Sequence, residues 1–280
     1  MKNFTVKTGG PLLETLFDQI GSSMSRTAVR RLLAHRRVLV NDAPARHDHV
    51  LREGDRVSFL GRGTPGPEYG LHILYEDEHV AVIDKPHGLL SVATETERER
   101  TAYRALNTVL RARDERAFIV HRLDREVSGL LVLAKTERDK RMLQAKWPDV
   151  IKRYYALVEG VPDPPEGVLE EELLEAATGR VSRVERGRKG FFSVTRFETL
   201  EKGRKRALLR VTIETGRKHQ IRVQLANIGH PIAGDETYGR GGNPIGRLGL
   251  HAYFLDFPHP ARRERMVFET PLPEVFRKGL

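Results

Sequence analysis

A short polar segment between two apolar runs holds residues that could do chemistry. The segment His121-Arg122-Leu123-Asp124-Arg125-Glu126-Val127-Ser128-Gly129 follows Phe118-Ile119-Val120 and precedes Leu130-Leu131-Val132-Leu133-Ala134. A loop between two strands has its geometry fixed by the sheet, which suits a catalytic group. Asp124 would serve there as a nucleophile or base if it were ionised, shielded from water and beside a positive charge. The spacing fits equally well a polar hairpin whose charges pair locally.

A second polar cluster, Thr215 to Arg222, supplies candidates for that positive charge. Arg217, Lys218 and Arg222 stand where an apolar strand leads into an apolar helix, and Gly216 permits the turn between them. Backbone N–H groups at a helix start bind phosphate. Three cations in this short stretch are also typical of a solvated helix face. Their position at the junction favours a functional site over that alternative.

The elements that must position these residues follow from hydrophobic periodicity. Strands are predicted over residues 73–75, 80–84, 118–120, 130–134, 154–158, 207–213 and 255–257, and helices over 101–113, 137–146 and 219–227. Strands occur both in pairs and with helices between them. This order favours an α+β fold, with a mixed, largely antiparallel sheet and flanking helices, over a doubly wound parallel sheet.

The first 62 residues are predicted to form a separate small unit. Apolar residues at helical spacing in 12–20 predict one helix, and a second is predicted over residues 25–35, followed by strands over 38–40 and 55–60. The second helix carries Arg26, Arg30 and Arg31, with no acidic residue between Ser25 and Arg36. A solvated face is the ordinary explanation of such a helix, but the absence of balancing acids favours an anionic partner.

Residues 63–70, rich in glycine and proline, are predicted to be a linker, which leaves residues 71–280 as the larger domain. The glycines at 61, 63 and 66 have the spacing of a dinucleotide-binding loop. However, Pro65 and Pro67 leave no helix whose N-terminus would hold a pyrophosphate, and this argues against such a site.

Composition narrows the class of partner. The chain has 48 basic and 38 acidic residues, a formal net charge of +10, which favours a polyanion such as nucleic acid. It has no cysteine, which excludes disulfides, thiolate metal sites and a cysteine nucleophile. The longest uncharged run, residues 223–234, is too short to span a bilayer, and no secretory signal is visible at Met1. We therefore expect a cytoplasmic protein without a membrane or an obligate protein partner.

The N-terminal unit resembles the S4 RNA-binding domain. The matching residues are Ser25-Arg26, Val29-Arg30-Arg31-Leu32 and Val38-Leu39-Val40-Asn41. The resemblance implies that Arg26, Arg30 and Arg31 lie against RNA phosphates.

Five ordered motifs across residues 71–260 resemble those of the RluA-type RNA pseudouridine synthases. They are Asp84-Lys85-Pro86-His87-Gly88; His121-Arg122-Leu123-Asp124 with Ser128-Gly129; Lys152-Arg153-Tyr154-Tyr155-Ala156; Gly216-Arg217 and His219-Gln220-Ile221-Arg222 with Gly229-His230-Pro231 and Gly234-Asp235; and Leu250-His251-Ala252 with His259-Pro260. Two departures are visible. Val127 replaces the usual threonine, so no hydrogen bond from that position is expected, and Gln224 stands where histidine is common.

The resemblance implies isomerisation of a specific uridine to pseudouridine in structured RNA. It makes Asp124 the essential carboxylate and Arg222 its ion-pair partner. Tyr154 becomes the ring stacked on the target base, and Arg122 enters the RNA stack where the uridine leaves. Arg217 is predicted to contact the RNA as well. Whether Asp124 attacks ribose or uracil, or only removes a proton, stays open, and Tyr154 is a second candidate base.

No metal or other cofactor is expected, because one carboxylate can serve throughout the reaction. His47-Asp48-His49 is an isolated trio, more typical of a surface than of a metal site. Ribosomal RNA is favoured over transfer RNA, because a larger electrostatic footprint suits a larger folded RNA.

Three other functions remain to be compared with this hypothesis. The main alternative is a non-catalytic RNA-binding protein that keeps the fold. A glycosidase-type enzyme usually needs two facing carboxylates, and Glu126 is poorly placed for that role. A tRNA synthetase or methyltransferase is disfavoured because no nucleotide or methyl-donor motif follows a strand.

Overall fold

The computed structural model describes residues 4–20, 38–41, 43–45, 49–59, 68–184, 189–240 and 242–280. The chain divides into two compact units, Met1–Gly70 with Arg104–Arg116, and Leu71–Tyr103 with Ala117–Leu280. Arg26, Arg30 and Arg31 lie outside the described residues, as does the helix predicted over residues 25–35. The S4 resemblance, the linker and the domain boundaries therefore stay predictions.

The N-terminal part forms small sheets around an apolar core. Its elements are β1 (Phe4–Thr5), β2 (Gly10–Pro11), α1 (Leu12–Ile20), β3 (Val38–Val40), β4 (Ala43–Pro44), β5 (Val50–Leu51) and β6 (Arg56–Phe59). The strand order is β1-β6-β3-β4, and β2 pairs separately with β5. Leu12 and Leu16, one helical turn apart, are fully buried against Val38 and Val57. The helix predicted from the apolar spacing in 12–20 is confirmed.

The following part of the chain alternates strands and helices before a long antiparallel region. In chain order the elements are β7 (His72–Glu76), β8 (Val80–Lys85), α2 (Ala102–Leu110), β9 (Phe118–Ile119), β10 (Ser128–Ala134), α3 (Glu137–Ala145), β11 (Ile151–Glu159), β12 (Glu166–Glu175), β13 (Val181–Arg183), β14 (Phe191–Lys202), β15 (Arg206–Ile213), α4 (Gln220–Asn227), β16 (Leu250–Pro258), β17 (Arg265–Glu269) and α5 (Glu274–Lys278).

These strands form one large mixed sheet. Within the described residues it has 11 strands in the order β13-β12-β14-β15-β11-β16-β10-β8-β7, with β17 on β16 and β9 on β10. The pairing of β10 with β16 is parallel, whereas the other pairings in this sheet are antiparallel. The predicted α+β class with a largely antiparallel sheet is confirmed.

Four strands of this large sheet were not predicted: β12, β13, β14 and β17. β12 contains Glu170-Glu171-Glu172, and most of its side chains are exposed or half-buried. β17 alternates between exposed and half-buried positions. Strand prediction depends on runs or alternations of apolar residues packed on a core, and such strands lack a fully buried face.

The parallel pair β10–β16 brings the polar loop next to a distant strand. Gly129 pairs with Ala252, and Ala252 also pairs on its other side with Tyr154 of β11. A Cβ atom at Gly129 would lie 2.2 Å from the Ala252 carbonyl oxygen, and its φ is +116°. Only glycine fits this close approach. The start of β10, which ends the loop of Asp124, therefore lies two strands from Tyr154.

Candidate active site

Asp124 lies in a pocket of about 80 Å³ at the end of the loop between β9 and β10. Its side chain is 23% exposed. The loop is clamped one residue earlier by buried Ser91, whose Oγ donates to the Leu123 carbonyl at 2.7 Å and accepts from the Leu123 N–H at 2.9 Å. Both backbone groups of Leu123 are thus fixed by one hydroxyl. These two hydrogen bonds fix the backbone immediately before Asp124, so its carboxylate is held in place, as expected for a loop between two strands.

A buried ammonium group lies behind this loop. Lys85 at the end of β8 is fully buried, and its Nζ donates to the carbonyls of Leu89 at 2.7 Å, Pro86 at 3.1 Å and Arg125 at 3.3 Å. These acceptors satisfy all three donors of the ammonium. Burial lowers the pKa of Lys85 to about 7, against the opposing effect of the negative charge on Asp124. Lys85 therefore ties β8 to the residue after Asp124.

Arg222 provides the positive charge facing Asp124. Its side chain is 4% exposed, and its Nη1 lies 3.7 Å from Asp124 Oδ2 and 3.7 Å from Glu126 Oε2. The predicted pair is thus brought together. Arg222 has a closer carboxylate, however, because its Nε donates to Asp235 Oδ2 at 2.7 Å and its Nη2 to Asp235 Oδ1 at 2.8 Å. Asp235 belongs to one of the family motifs, but its pairing with Arg222 was not predicted from the sequence.

The electrostatics of Asp235 fit this pairing. Burial alone would raise its pKa, but hydrogen bonds and the charge from Arg222, with backbone N–H groups of Thr237 and Tyr238, bring the net pKa below its usual value. Asp235 is therefore a charged, buried counterion that leaves one edge of the guanidinium for Asp124.

His219 is a second nitrogen group beside Asp124. Its Nε2 lies 3.8 Å from Asp124 Oδ2, and its Nδ1 lies 2.9 Å from the hydroxyl of Tyr238. The Tyr238 hydroxyl also accepts from the Val181 N–H at 2.9 Å, and these two contacts fix it beside the His219 ring. Burial lowers the pKa of His219, although the charge on Asp124 opposes this effect. The Nε2 edge of the ring therefore faces the carboxylate.

Tyr154 of β11 lines the same pocket and is 8% exposed. Burial raises its pKa, and the charge on Asp124 raises it further. The hydroxyl is therefore protonated over the physiological pH range. The sheet register, in which Tyr154 and Gly129 flank Ala252, explains how residues distant in sequence come to the same pocket.

The two predicted RNA-binding arginines of this unit, Arg122 and Arg217, also line the pocket, and both are exposed. Buried Gln220 at the start of α4 shapes the turn that carries Arg217: its Oε1 accepts from the Arg217 N–H at 3.0 Å and from Thr215 Oγ1 at 2.8 Å. The structure thus collects Asp124, Tyr154, Arg222, Arg122 and Arg217 around one opening. Their roles remain to be tested.

His121, although it opens the polar segment, faces away from this chemistry. Its Nε2 accepts from the Val132 N–H at 3.1 Å, and its ring packs against Trp147 with centroids 4.4 Å apart and an interplanar angle of 30°. Burial lowers its pKa to about 3. His121 is therefore a neutral residue that joins the loop to β10.

The end of the loop is fixed by a buried polar chain. Ser128 Oγ lies 2.7 Å from His251 Nδ1 and accepts from Arg247 Nη2 at 2.6 Å, while His251 Nε2 lies 2.9 Å from Thr270 Oγ1. Burial lowers the pKa of His251 to about 4. Ser128 thus has two partners in spite of the valine beside it.

Gln224, the second departure from the family pattern, has a structural place. Its Oε1 accepts from Thr195 Oγ1 at 2.6 Å and its Nε2 donates to the Leu169 carbonyl at 3.1 Å. These contacts join α4 to β12 and β14. The residue does not line the pocket of Asp124.

The described residues contain no group of three or more His, Cys, Asp or Glu side chains arranged to hold a metal ion. His47 and Asp48 of the isolated trio lie outside those residues. No helix in the described ranges is long and apolar enough to cross a membrane.

Comparisons with known proteins agree with one another. The family model described as RNA pseudouridylate synthase matches residues 79–227. Ribosomal large subunit pseudouridine synthase D of Pseudomonas aeruginosa is 32% identical over 300 residues, covering 96% of this chain and 90% of that protein. An uncharacterized RNA pseudouridine synthase of Aquifex aeolicus is 34% identical over 301 residues, covering 98% of this chain and 94% of that protein. The structure of human RNA Pseudouridylate Synthase Domain Containing 4 is similar with a TM-score of 0.62 and 27% identity, covering 74% of this chain and 91% of that one.

Proposed function

The chain belongs to the RNA pseudouridine synthase family, and we propose that it isomerises a uridine of ribosomal RNA, flipped into the pocket of Asp124, with that carboxylate as the catalytic group. The observation that carries this proposal is the placement of Asp124 on a clamped loop, 3.7 Å from the buried guanidinium of Arg222. Relatives named for the large ribosomal subunit support ribosomal RNA as the substrate class.

The reaction explains why one carboxylate suffices. The N1–C1′ bond of uridine breaks, the base turns while it is held, and C5 bonds to C1′. The C5 proton leaves to a base, and N1 gains a proton, so the product is an isomer and no electrons are exchanged. Asp124 acts on ribose or uracil as nucleophile, or removes the C5 proton as base. The positive charge of Arg222 stabilises the carboxylate in each case.

Base flipping follows from the geometry of RNA. A uracil stacked in a helix cannot present its glycosidic bond and C5 to one carboxylate, so the base must leave the stack at a cost of a few kcal/mol. Stacking on an aromatic ring recovers about 1–3 kcal/mol per base, and Tyr154 is the aromatic side chain in the pocket lining. Arg122, exposed at the pocket opening, would fill the space in the RNA stack that the flipped base leaves. Arg217 would contact the RNA backbone.

The N-terminal unit is proposed to be an S4 RNA-binding domain within residues 1–62. The support is the sequence pattern around Arg26, Arg30 and Arg31. In this arrangement the basic helix holds RNA phosphates, and the reaction takes place in residues 71–280.

The decisive experiment maps pseudouridines in cellular RNA with and without the gene, and then repeats the reaction with purified protein. We expect one or more uridines of ribosomal RNA to lose the modification, and Asp124→Asn to abolish conversion while RNA affinity stays close to wild type. Glu126→Gln is the matched control, since its carboxylate lies equally far from Arg222, and we expect it to keep most activity.

The same experiment separates the alternatives. An unchanged modification map, with RNA binding intact, would establish the non-catalytic RNA-binding protein instead. Release of free uracil that requires Glu126 would establish a glycosidase-type reaction. Loss of pseudouridine in transfer RNA alone would correct the substrate class but not the chemistry.

A further inference from the structure

Two phenylalanines are exposed at the start of β14. Phe191 is 60% exposed and Phe192 is 53% exposed. Single exposed apolar residues are ordinary on a protein surface and need no explanation. Phe191 differs from such a residue because its ring contacts Arg217.

Arg217 joins Phe191 to the active-site pocket. Its guanidinium carbon Cζ lies 5.2 Å from the centroid of the Phe191 ring, and its Nε donates to the Phe192 carbonyl at 3.4 Å. The same arginine lines the pocket that contains Asp124. The backbone of Arg217 is held by Gln220, which accepts from its N–H. The Arg217 guanidinium and the Phe191 ring therefore form a cation–π pair at the rim of that pocket.

The sheet register places the two rings on opposite faces. Phe191 is directly opposite Leu173 of β12, and opposed residues of an antiparallel pair point to the same face. Leu173 packs with Val223 of α4 and with Tyr238, the partner of His219. Phe191 is therefore on the face that carries α4, whereas Phe192, the next residue in the strand, points to the other face.

Two further basic side chains lie near Tyr238 and Arg217, whereas Glu172 is directly opposite Phe192 on the neighbouring strand. Arg180 lies over the ring of Tyr238, with Cζ 5.4 Å from the centroid, and Lys218 is paired with Glu175 next to Arg217. Arg122 lies at the mouth of the same pocket. An exposed aromatic ring in contact with an arginine is complementary to a nucleic acid strand, which offers both phosphates and flat bases.

We propose that Phe191 and Arg217 form a stacking site for the nucleobase next to the target uridine in the RNA substrate. This inference rests on the proposed function, because only a uridine held beside Asp124 fixes where its neighbour lies. Adjacent nucleotides are covalently joined, so when one base enters the pocket the next lies at its rim, where the Phe191 ring is exposed. Bases in single-stranded RNA are recognised by stacking on aromatic rings and guanidinium planes.

The test uses the full chain and a stem-loop around the uridine that modification mapping identifies. The fluorescent base 2-aminopurine replaces each neighbour of the target in turn, because its emission is quenched when it stacks. Binding is measured with Asp124→Asn, so that the RNA stays unreacted, and turnover is measured with Asp124 intact. We expect quenching at one neighbouring position.

Phe191→Ala is expected to remove that quenching and to weaken RNA binding about five- to hundredfold, the loss typical of one stacked base. Phe191→Trp should restore both, whereas Phe191→Leu, which keeps apolar area without an aromatic face, should not. Phe192→Ala is the matched control, equally exposed on the same strand but on the other face, and should bind like wild type. The ring of Phe191 is mostly exposed, and equal thermal melting temperatures for all variants would verify folding.

Wild-type quenching and affinity in Phe191→Ala would overturn the inference, as would an equal loss in Phe192→Ala. These failures are distinct from failure of the proposed function. If the wild-type protein forms no pseudouridine in any RNA, the function is wrong; if it does so and Phe191→Ala behaves like wild type, only the stacking site is wrong.

Discussion

Arg222 donates two hydrogen bonds to Asp235, from Nε to Oδ2 at 2.7 Å and from Nη2 to Oδ1 at 2.8 Å. The Asp235 side chain has no exposed surface, and it also accepts from the N–H groups of Thr237 and Tyr238. This carboxylate therefore fixes the plane of the guanidinium. The remaining nitrogen, Nη1, lies 3.7 Å from Asp124 Oδ2 and 3.7 Å from Glu126 Oε2. Asp235 thus positions Arg222, and Arg222 in turn places a positive charge beside Asp124.

Removal of Asp235 should be costly to stability. Asp235→Ala leaves the Arg222 guanidinium buried without its closest partner, and we expect a loss of about 3–5 kcal/mol in the free energy of unfolding by chemical denaturation. Asp235→Asn keeps hydrogen-bonding atoms and should lose less of the free energy of unfolding. It should still lower turnover, because the Arg222 guanidinium is no longer held by a negative charge. Glu214→Gln breaks the exposed Arg196–Glu214 pair and should cost under about 1 kcal/mol. Equal losses in Asp235→Ala and Glu214→Gln would contradict the assignment.

Two substitutions of Tyr154 separate its ring from its hydroxyl. Tyr154→Phe keeps the ring and should bind substrate RNA like wild type, whereas Tyr154→Ala should weaken binding about five- to hundredfold. Single-turnover rates then decide the role of the hydroxyl. A loss of about 10²–10⁴-fold in Tyr154→Phe is expected if the hydroxyl transfers a proton, and wild-type turnover excludes that role. Wild-type binding by Tyr154→Ala would disprove stacking on this ring.

Acid should destabilise the protein through buried His251. Its pKa is lowered to about 4 from an ordinary value of 6.5, so between these pH values the unfolded chain binds a proton that the folded protein does not. The stability contribution is therefore complete above pH 6.5 and is lost as pH falls toward 4, with a slope of about 1.4 kcal/mol per pH unit. Denaturation of His251→Asn should show a shallower pH dependence in this window. An identical slope in the variant would contradict this effect of burial.

The S4 prediction can be tested through charge. Replacing Arg26, Arg30 and Arg31 together by alanine should weaken binding of large RNA and reduce the slope of log affinity against log salt by about 2–3, if each contacts one phosphate. Conversion of a short stem-loop at saturating RNA should persist. Arg141→Ala is a control, because its side chain is 77% exposed beside Glu137. Loss of activity on every substrate would disprove the modular arrangement.

Much of the fold and the position of Asp124 could be predicted from sequence. Buried strands such as β8 and β10 are continuous apolar runs, and α4 begins where the strand-to-helix junction predicted it. Periodicity is a local property, so local sequence contains it. The long strands β12 and β14 escaped prediction because many of their side chains are exposed, so their apolar residues form neither a continuous run nor a regular alternation.

The sequence by itself determined which chemical groups are available. They are a carboxylate, Asp124, on a short loop between strands, a cluster of cations in residues 215–222 before a helix, and a net positive charge. Only the tertiary structure decided which groups meet. The tertiary structure pairs Arg222 with Asp235 as well as with Asp124 and buries Lys85 behind the loop of Asp124. It also places His219 Nε2 near Asp124 and packs Phe191 against Arg217. The physical reason is that burial and ion pairing depend on packing between residues far apart in the chain, which residue order and local periodicity do not specify.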